Sequence, residues 1–465
     1  MNRFIALGAV LSLALAGCGG GQQPAADTDT LVIYSPHSDE IQQEFTEAFQ
    51  AWYQREAGRR VEISWPDAGG GGTQILRRLQ DKFRARRFDI DLVFGGGPIF
   101  GQMKTLGMLE PVRLPPEILA AIPPKAAGQP LYDPDGYWYG AAISTFGLIA
   151  NQKLIKDKGL PQVQGWETLA DPRYFGYVGA GDPAKSVSVL KAYEVILQAY
   201  GYERGMGILV RMGANAREFY TSASDIPKNC AQGFIAAGPC IDFYAFRQMR
   251  SEGGANLRFV VPPGMTVITC DPVALLKNAP HRAVAEKFIE FVLRPEGQRL
   301  WMLPAGAPGG PRKYALQRSA VLPSLYAEAA ERPPQDAPAR MNPFTAPPAD
   351  FYDAAKENAR QTILTDYLRV ALVENHGALK KAWRKVMEAG PGAERAAELA
   401  RPLVSEEEML RLGREVWTPL LAPEDAPPEK KAELQRQEEL RQRCKSDIET
   451  QWSETLRQRY EQLAR

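Results

Sequence analysis

The sequence predicts an α/β fold in two blocks, followed by a helical extension at the C-terminus. Three observations carry this. Between residues 31 and 100 a short apolar run gives way three times to a polar or glycine-rich loop and then to a helix, the alternation of a parallel sheet flanked by helices. A second block of the same kind runs from Lys153 to about Phe259, bracketed by long apolar strands. Beyond Pro333 the chain is proline-rich, then helical from Asp353 onward.

At the N-terminus Arg3 precedes an almost unbroken apolar stretch, Phe4 to Ala16, that leads into Gly17-Cys18-Gly19. A charged start, a short apolar core and small residues describe a secretory signal over residues 1–17. The stretch is shorter than the roughly 20 apolar residues that a bilayer requires. Leu15-Ala16-Gly17-Cys18 resembles the bacterial lipobox, in which the cysteine is diacylated and becomes the first residue. Residues 18–30, rich in Gly, Gln, Pro, Ala and Asp, then form a flexible leash. An ordinary signal peptide with a chance cysteine, or an uncleaved anchor, is the alternative.

Leu31–Tyr34 reads as a buried strand ending at Ser35-Pro36-His37-Ser38. Ile41, Phe45, Ala48, Phe49 and Trp52 then recur at helical spacing as far as Gly58. Val61–Trp65 alternates as a strand does, and Gly69-Gly70-Gly71-Gly72-Thr73 opens a second helix through Ile75, Leu76, Leu79 and Phe83. A third strand, Ile90–Phe94, runs into Gly95-Gly96-Gly97-Pro98. Loops at strand C-terminal ends present backbone N–H groups and helix dipoles to a ligand. None matches G-x-G-x-x-G or Gly-Lys-Ser/Thr, so no nucleotide is expected. Later, an apolar strand reaches Asn151, and another, Thr266–Leu276, is interrupted by Asp271-Pro272 before a helix over Ala283–Leu293.

The 465 residues are 45% hydrophobic, with 56 Lys and Arg against 55 Asp and Glu. That balance gives proper cores and no basic face for nucleic acid or a membrane surface. Apart from Cys18 the cysteines are Cys230, Cys240, Cys270 and Cys444. Export places them in an oxidising compartment, and Cys230 and Cys240 flank a short loop that a disulfide could close. Free thiols are the alternative for that pair, and Cys270 and Cys444 stay open. There is no G-x-S-x-G, no His-Glu-x-x-His and no cysteine beside a histidine, so no enzyme is expected. His281 and His376 read as structural.

In the C-terminal third, Ser405-Glu406-Glu407-Glu408 is a capping box. Ala432–Arg465 is a charged helix with apolar Leu440, Cys444, Ile448, Trp452, Leu456, Tyr460 and Leu463. Spacings of mostly four exceed the 3.6-residue period, so the stripe winds around the helix. A helix bracing its own chain fits that pattern, with a scaffold or adhesin as the alternative class.

Tyr137-Trp138-Tyr139-Gly140, Gly165-Trp166-Glu167-Thr168-Leu169-Ala170-Asp171-Pro172 and Gly181-Asp182-Pro183 with Ser186 form one ordered set. Asp271-Pro272-Val273-Ala274-Leu275-Leu276, Ala279-Pro280-His281, Ala285-Glu286-Lys287-Phe288 and Pro295-Glu296-Gly297-Gln298 continue it. The set resembles bacterial extracellular solute-binding proteins, the receptors of ATP-driven importers, and most of all the group with ferric-ion, phosphonate and sugar-phosphate receptors. The resemblance implies a two-lobed, type II periplasmic-binding-protein-like fold. Residues 31–140 with 268–345 would form the first lobe, 141–267 the second, and 346–465 the helical extension. It also implies hinge closure on a small-molecule or ion ligand, delivery to membrane permease subunits, no resident cofactor, and a monomer.

Candidate ligand contacts lie in loops after strands. In the first lobe they are His37, Ser38, Gly71, Gly72, Thr73, Gly96 and Gly97, and at the hinge Ser144 with Thr145 beside it. In the second lobe they are Ser186, Ser188, Ser222, Ser224, Asp225, Asp242 and Tyr244. His37 is either a ligand residue, as in ferric-binding relatives, or a polar loop residue that caps a helix starting near Asp39. The Gly69–Thr73 loop either cradles an oxyanion or is a tight turn with Thr73 as N-cap. Ferric-binding relatives place two adjacent tyrosines where this chain has Phe243 and Tyr244. Trivalent iron favours several anionic oxygens, so losing one phenolate leaves an oxyanion or a phosphorylated molecule as the expected solute. Fe3+ held by His37, Asp242 and Tyr244 is the second reading.

Overall fold

The computed structural model describes residues 28–97, 99–251, 254–330, 341–390, 393–420 and 426–465. The signal segment, Cys18 and the leash up to residue 27 lie outside the described residues.

The first strand, β1 (Thr28–Tyr34), begins within the expected leash. Thr28, Asp29 and Thr30 already pair with Arg60, Val61 and Glu62, because Asp29 is anchored by Tyr53 and a two-pronged Arg59. Next come α1 (Asp39–Ala57), β2 (Arg60–Ser64), α2 (Gly72–Arg84), β3 (Leu92–Phe94) and α3 (Ile99–Thr105). The three strands are parallel. The stripe foreseen on α1 is its buried face: Phe45 meets Trp301 at 4.5 Å and Phe49 meets Phe288 at 5.1 Å between ring centroids.

The fold turns on β4 (Tyr139–Asn151), 13 residues that are all buried. The chain continues through β5 (Val178–Gly181), α4 (Val187–Tyr200), α5 (Tyr202–Asn215), β6 (Ala216–Tyr220), α6 (Asp225–Ala231) and β7 (Ala237–Ile241). It returns by α7 (Asp242–Arg250), β8 (Leu257–Val260) and β9 (Ile268–Leu276), then α8 (Arg282–Leu293) and α9 (Pro295–Met302). Strand order is β2-β1-β3-β9-β4-β7-β5-β6, with β8 also on β4. Up to Thr145, β4 pairs with β9. From Phe146 onward it pairs with β7 and β8. One strand thus belongs to two half-sheets, and the change of partner marks the junction of the lobes. The ladder between β9 and β4 slips at Asp271/Pro272, where proline has no N–H to offer.

The C-terminal helices are α10 (Ala354–Leu368), α11 (His376–Glu388), α12 (Ala393–Ala400), α13 (Glu406–Leu412) and α14 (Pro428–Leu463). They share one core with the second lobe: Ile363, Leu368, Trp383, Trp452, Leu456 and Tyr460 sit in the same cluster as Tyr193, Ile196 and Leu209. Buried charges pin them to α4, Arg360 to Glu194 at 2.7 Å and Lys191 to Glu357 at 2.6 Å. Ser405 caps α13 by accepting from the Glu408 N–H. Along α14 the apolar stripe does wind: Trp452, Leu456, Tyr460 and Leu463 are buried, while Leu440 is 63% exposed and Cys444 is exposed. Among the described residues no helix is long and apolar enough to cross a membrane.

The expected disulfide between Cys230 and Cys240 is not formed; both thiols are free and buried. The segment between them is not an open loop, since β7 pairs Cys240 with Gly147 in the middle of the sheet. The Cys240 Sγ lies 3.3 Å from the Ile241 carbonyl and the Cys230 Sγ 3.7 Å from that of Ala236. Burial pushes both thiols well up, so neither supplies the thiolate that disulfide exchange requires. Cys270 and Cys444 are also free.

Candidate functional site

Parallel pairing gathers the loops after β1, β2 and β3 at one edge of the first lobe. Ser35 Oγ donates to the Phe94 carbonyl at 2.8 Å and accepts from the His37 N–H at 3.1 Å, which fixes the turn carrying His37. Two glycines let these loops meet. A Cβ on Gly72 would stand 2.1 Å from the Gly96 carbonyl oxygen, and one on Gly95 (φ +85°) 2.6 Å from His37 Nε2.

These loops converge on a carboxylate and a guanidinium. Asp271 Oδ1 accepts from the N–H groups of Gly96 (2.8 Å) and Gly97 (3.1 Å). Its Oδ2 accepts from Arg318 Nη1 at 2.8 Å and lies 3.1 Å from His37 Nε2. Arg318 Nη2 donates to Ser144 Oγ at 2.9 Å, and Nη1 is 3.2 Å from His37 Nε2. The guanidinium is 2% exposed and lies between the rings of Phe243 (4.5 Å) and Trp301 (5.3 Å). Burial alone would raise the Asp271 carboxyl, but the Arg318 charge and the His37 bond outweigh it and hold the group well below the usual carboxylate range. Burial pushes His37 down, against the pull of Asp271.

Across the junction, Asp242 opens α7 and is 2% exposed. Its oxygens accept from the N–H groups of Thr145 (2.8 Å) and Phe243 (2.7 Å). Burial pushes the carboxyl up to about 7, although Arg318 and the two N–H groups oppose it. Tyr244 packs on Phe243, ring centroids 4.3 Å apart, and burial raises its phenol. A further tie between the lobes joins Arg247 to Glu40 at 2.6 Å. Because β5 and β6 are parallel neighbours, their following loops lie together. Ser186 Oγ meets Ser188 Oγ at 3.1 Å, and Ser222 Oγ meets Ser224 Oγ at 2.8 Å.

Of the residues foreseen from sequence, His37, Gly96, Gly97 and Ser144 therefore surround Asp271 and Arg318, with Asp242 and Tyr244 facing them. Ser186 and Ser188 form a separate hydroxyl group, and Asp225 begins α6 beyond the Ser222–Ser224 turn. Ser38 takes the N-cap position of α1, which starts at Asp39 as expected. The cap of α2 is Gly71, not Thr73, because the helix starts at Gly72. Among the described residues no group of three or more His, Cys, Asp or Glu is placed to hold a metal ion. The alternative set of His37, Asp242 and Tyr244 is committed elsewhere, His37 to Asp271 and Asp242 to backbone N–H groups.

Sequence reasoning missed Asp271 and Arg318 as site residues. Asp271 left a signal, an acid interrupting an apolar strand. Arg318 lies in Leu316-Gln317-Arg318-Ser319-Ala320, outside any periodic element, and left none.

The sequence pattern of one family, the bacterial extracellular solute-binding proteins, matches residues 89–333, more than half of the chain. The phosphoglycerate transport regulatory protein PgtC of Salmonella typhimurium is 30% identical over 159 residues, 34% of this chain. The chain thus spans only 39% of that relative's length. An uncharacterized protein of Haemophilus influenzae is 25% identical over 305 residues, 64% of this chain and 83% of that protein. Among solved structures, the periplasmic binding protein AfuA from Actinobacillus pleuropneumoniae, with fructose-6-phosphate bound, has a TM-score of 0.56 at 20% identity. It covers 75% of this chain and 99% of its own. Iron-bound HitA from Pseudomonas aeruginosa has a TM-score of 0.53 at 22% identity, over 73% of this chain and 99% of its own. At these identities the likeness establishes the fold, that of two-lobed periplasmic binding proteins.

Proposed function

The chain belongs to the bacterial extracellular solute-binding proteins, binding proteins and not enzymes, and on that footing we propose that it is a membrane-tethered receptor for a small anionic or phosphorylated solute. The lobes close on the solute and deliver it to the permease subunits of an ATP-driven importer. The observation that carries the anionic reading is the convergence of donors at the lobe junction. A permanently charged guanidinium and two successive glycine N–H groups, now all donating to Asp271, meet there with the Ser144 hydroxyl, and these are donor types of oxyanion recognition. The PgtC name refers to phosphoglycerate and the AfuA complex to a sugar phosphate, and both accord with a phosphorylated solute. Trivalent iron is disfavoured by the same guanidinium, whose fixed positive charge lies among its alternative ligands. The tether rests on Cys18 within Leu-Ala-Gly-Cys.

A thermal-shift screen of the protein lacking residues 1–18 tests the reading, with phosphoglycerate, sugar phosphates, phosphonates and Fe3+ as ligands. A binder at 100 times its dissociation constant adds about 2.7 kcal/mol, and Arg318→Met should abolish that gain. A shift with Fe3+ alone, or an Arg318→Met variant that binds as the parent does, would remove the basis of the proposal. Replacing Cys18 by Ser should release the exported protein from the membrane fraction.

A further inference from the structure

The donor nest of the first lobe already holds an anion, and that anion belongs to the chain. Four donors or ring nitrogens surround the two oxygens of Asp271: Gly96 N at 2.8 Å, Gly97 N at 3.1 Å, Arg318 Nη1 at 2.8 Å and His37 Nε2 at 3.1 Å. Consecutive glycine N–H groups in the left-handed region (φ +111° at Gly96, +71° at Gly97), completed by an arginine, form the kind of concavity that takes phosphate. The donors also exceed what a two-oxygen anion engages, since Arg318 Nε is buried with no hydrogen-bond partner.

We propose that Asp271 is a specificity-determining residue, a built-in anion that fills this nest and closes it to free inorganic phosphate and sulfate. This deepens the preceding proposal and rests on its reading of the cluster as the solute site. A free oxyanion in the nest would have to lie against the Asp271 carboxylate, and like charges at such separation repel strongly in a buried setting. A larger solute escapes that exclusion. Once the lobes part, such a solute engages Arg318 through Nη2, which now donates to the buried Ser144 hydroxyl, and draws further binding from the second lobe. From the second lobe the ring of Phe243 lies 4.5 Å from the same guanidinium. The arrangement suits a receptor that must ignore free phosphate while taking a phosphorylated metabolite.

Asp271→Ala and the near-isosteric Asp271→Asn, each in the full exported chain, are titrated with inorganic phosphate and with sulfate by thermal shift and calorimetry. The parent protein should show no saturable response. Each variant should acquire one, with at least a tenfold gain in affinity over the parent, and Arg318→Met added to either variant should remove it. If Asp271→Ala is unfolded without anion, phosphate should restore its cooperative melt, and Asp271→Asn supplies the affinity. The inference is overturned if neither variant gains phosphate or sulfate binding, or if the parent binds free phosphate as tightly as they do. The parent is titrated in parallel with the phosphorylated solutes of the screen. A parent that binds one of these beside variants that gain nothing defeats this inference alone. A parent blind to all of them defeats the proposed function while leaving a gained phosphate site in the variants to stand.

Discussion

Asp242 ties the start of α7 to Thr145, the residue at which β4 passes from one lobe to the other. Its carboxyl is pushed up by burial to about 7 from an ordinary value of 3.8, so the folded protein holds a proton there that the unfolded chain has released. The linkage has one sign. Below about pH 4 both states are protonated, and above about pH 7 neither is. Between those limits the native state binds about one proton more, so stability falls as pH rises, by about 1.4 kcal/mol per unit and about 4 kcal/mol in total. Asp242→Asn cannot titrate. Asparagine has one acceptor oxygen for the two N–H groups of Thr145 and Phe243, which costs about 1–3 kcal/mol at any pH. The variant should therefore melt below the parent near pH 4 and above it near pH 8, with the two curves crossing between. Melting temperatures read by circular dichroism across that range decide the matter without a two-state assumption. Curves that run parallel would show that Asp242 is charged throughout in the folded protein, and that burial does not govern it.

Arg360→Met should destabilise the chain by about 3–5 kcal/mol in urea unfolding, because it leaves Glu194, 1% exposed, without its two-pronged partner. Adding Glu194→Leu should recover most of that loss, whereas an additive double variant would mean that the pair is not coupled. On α14, Trp452→Ala should destabilise by about 3–5 kcal/mol, since the indole stacks on Trp417 at 5.5 Å and meets Tyr367 at 5.1 Å. Leu440→Ala on the same helix should change stability by no more than about 0.5 kcal/mol, and equal effects at the two positions would contradict a brace whose buried apolar side chains lie in the C-terminal half.

What was legible in the sequence was what repeats. The apolar spacing of α1, the alternation of β2 and the drift of the α14 stripe are periodic, and each is visible in one line of residues. The loops after β1 and β3 were legible too, because strand, glycine and helix signals fix where a parallel sheet presents its N–H groups. The illegible parts are those set by sequence-distant contact. Arg318 lies 47 residues from Asp271 and 281 from His37, and Asp271 meets both where its ladder slips at Pro272. The Cys230–Cys240 pairing failed for a related reason. Proximity along the chain suggested a closed loop, yet from Ala237 the segment is a strand whose ladder fixes Cys240 by its neighbours in the sheet. The Thr73 cap was misplaced by two residues, within the usual uncertainty of a helix end.

Among the described residues, three buried pairs of Arg or Lys with a carboxylate differ in how completely they are hydrogen-bonded. Arg360 bonds through Nε and Nη2 to Glu194 and through Nη1 to Glu406. Lys191 bonds Glu357 and Tyr352. With Lys356 also 3.4 Å from Glu406, both clusters have their charges matched and lie between α4 and the C-terminal helices; such networks stiffen a fold. The third pair, Arg318 and Asp271, differs in kind. Around it His37 Nδ1, Trp301 Nε1 and Arg318 Nε are buried and have no hydrogen-bond partner, whereas beside Arg360 the same holds of the Tyr202 hydroxyl. Buried polar groups are ordinarily satisfied, and leaving one unmade costs about 1–3 kcal/mol. A concentration of them at the meeting point of two lobes means that the site keeps hydrogen-bonding capacity which the chain alone does not use. That unused capacity, more than the charge of Arg318, distinguishes this cluster from the braces.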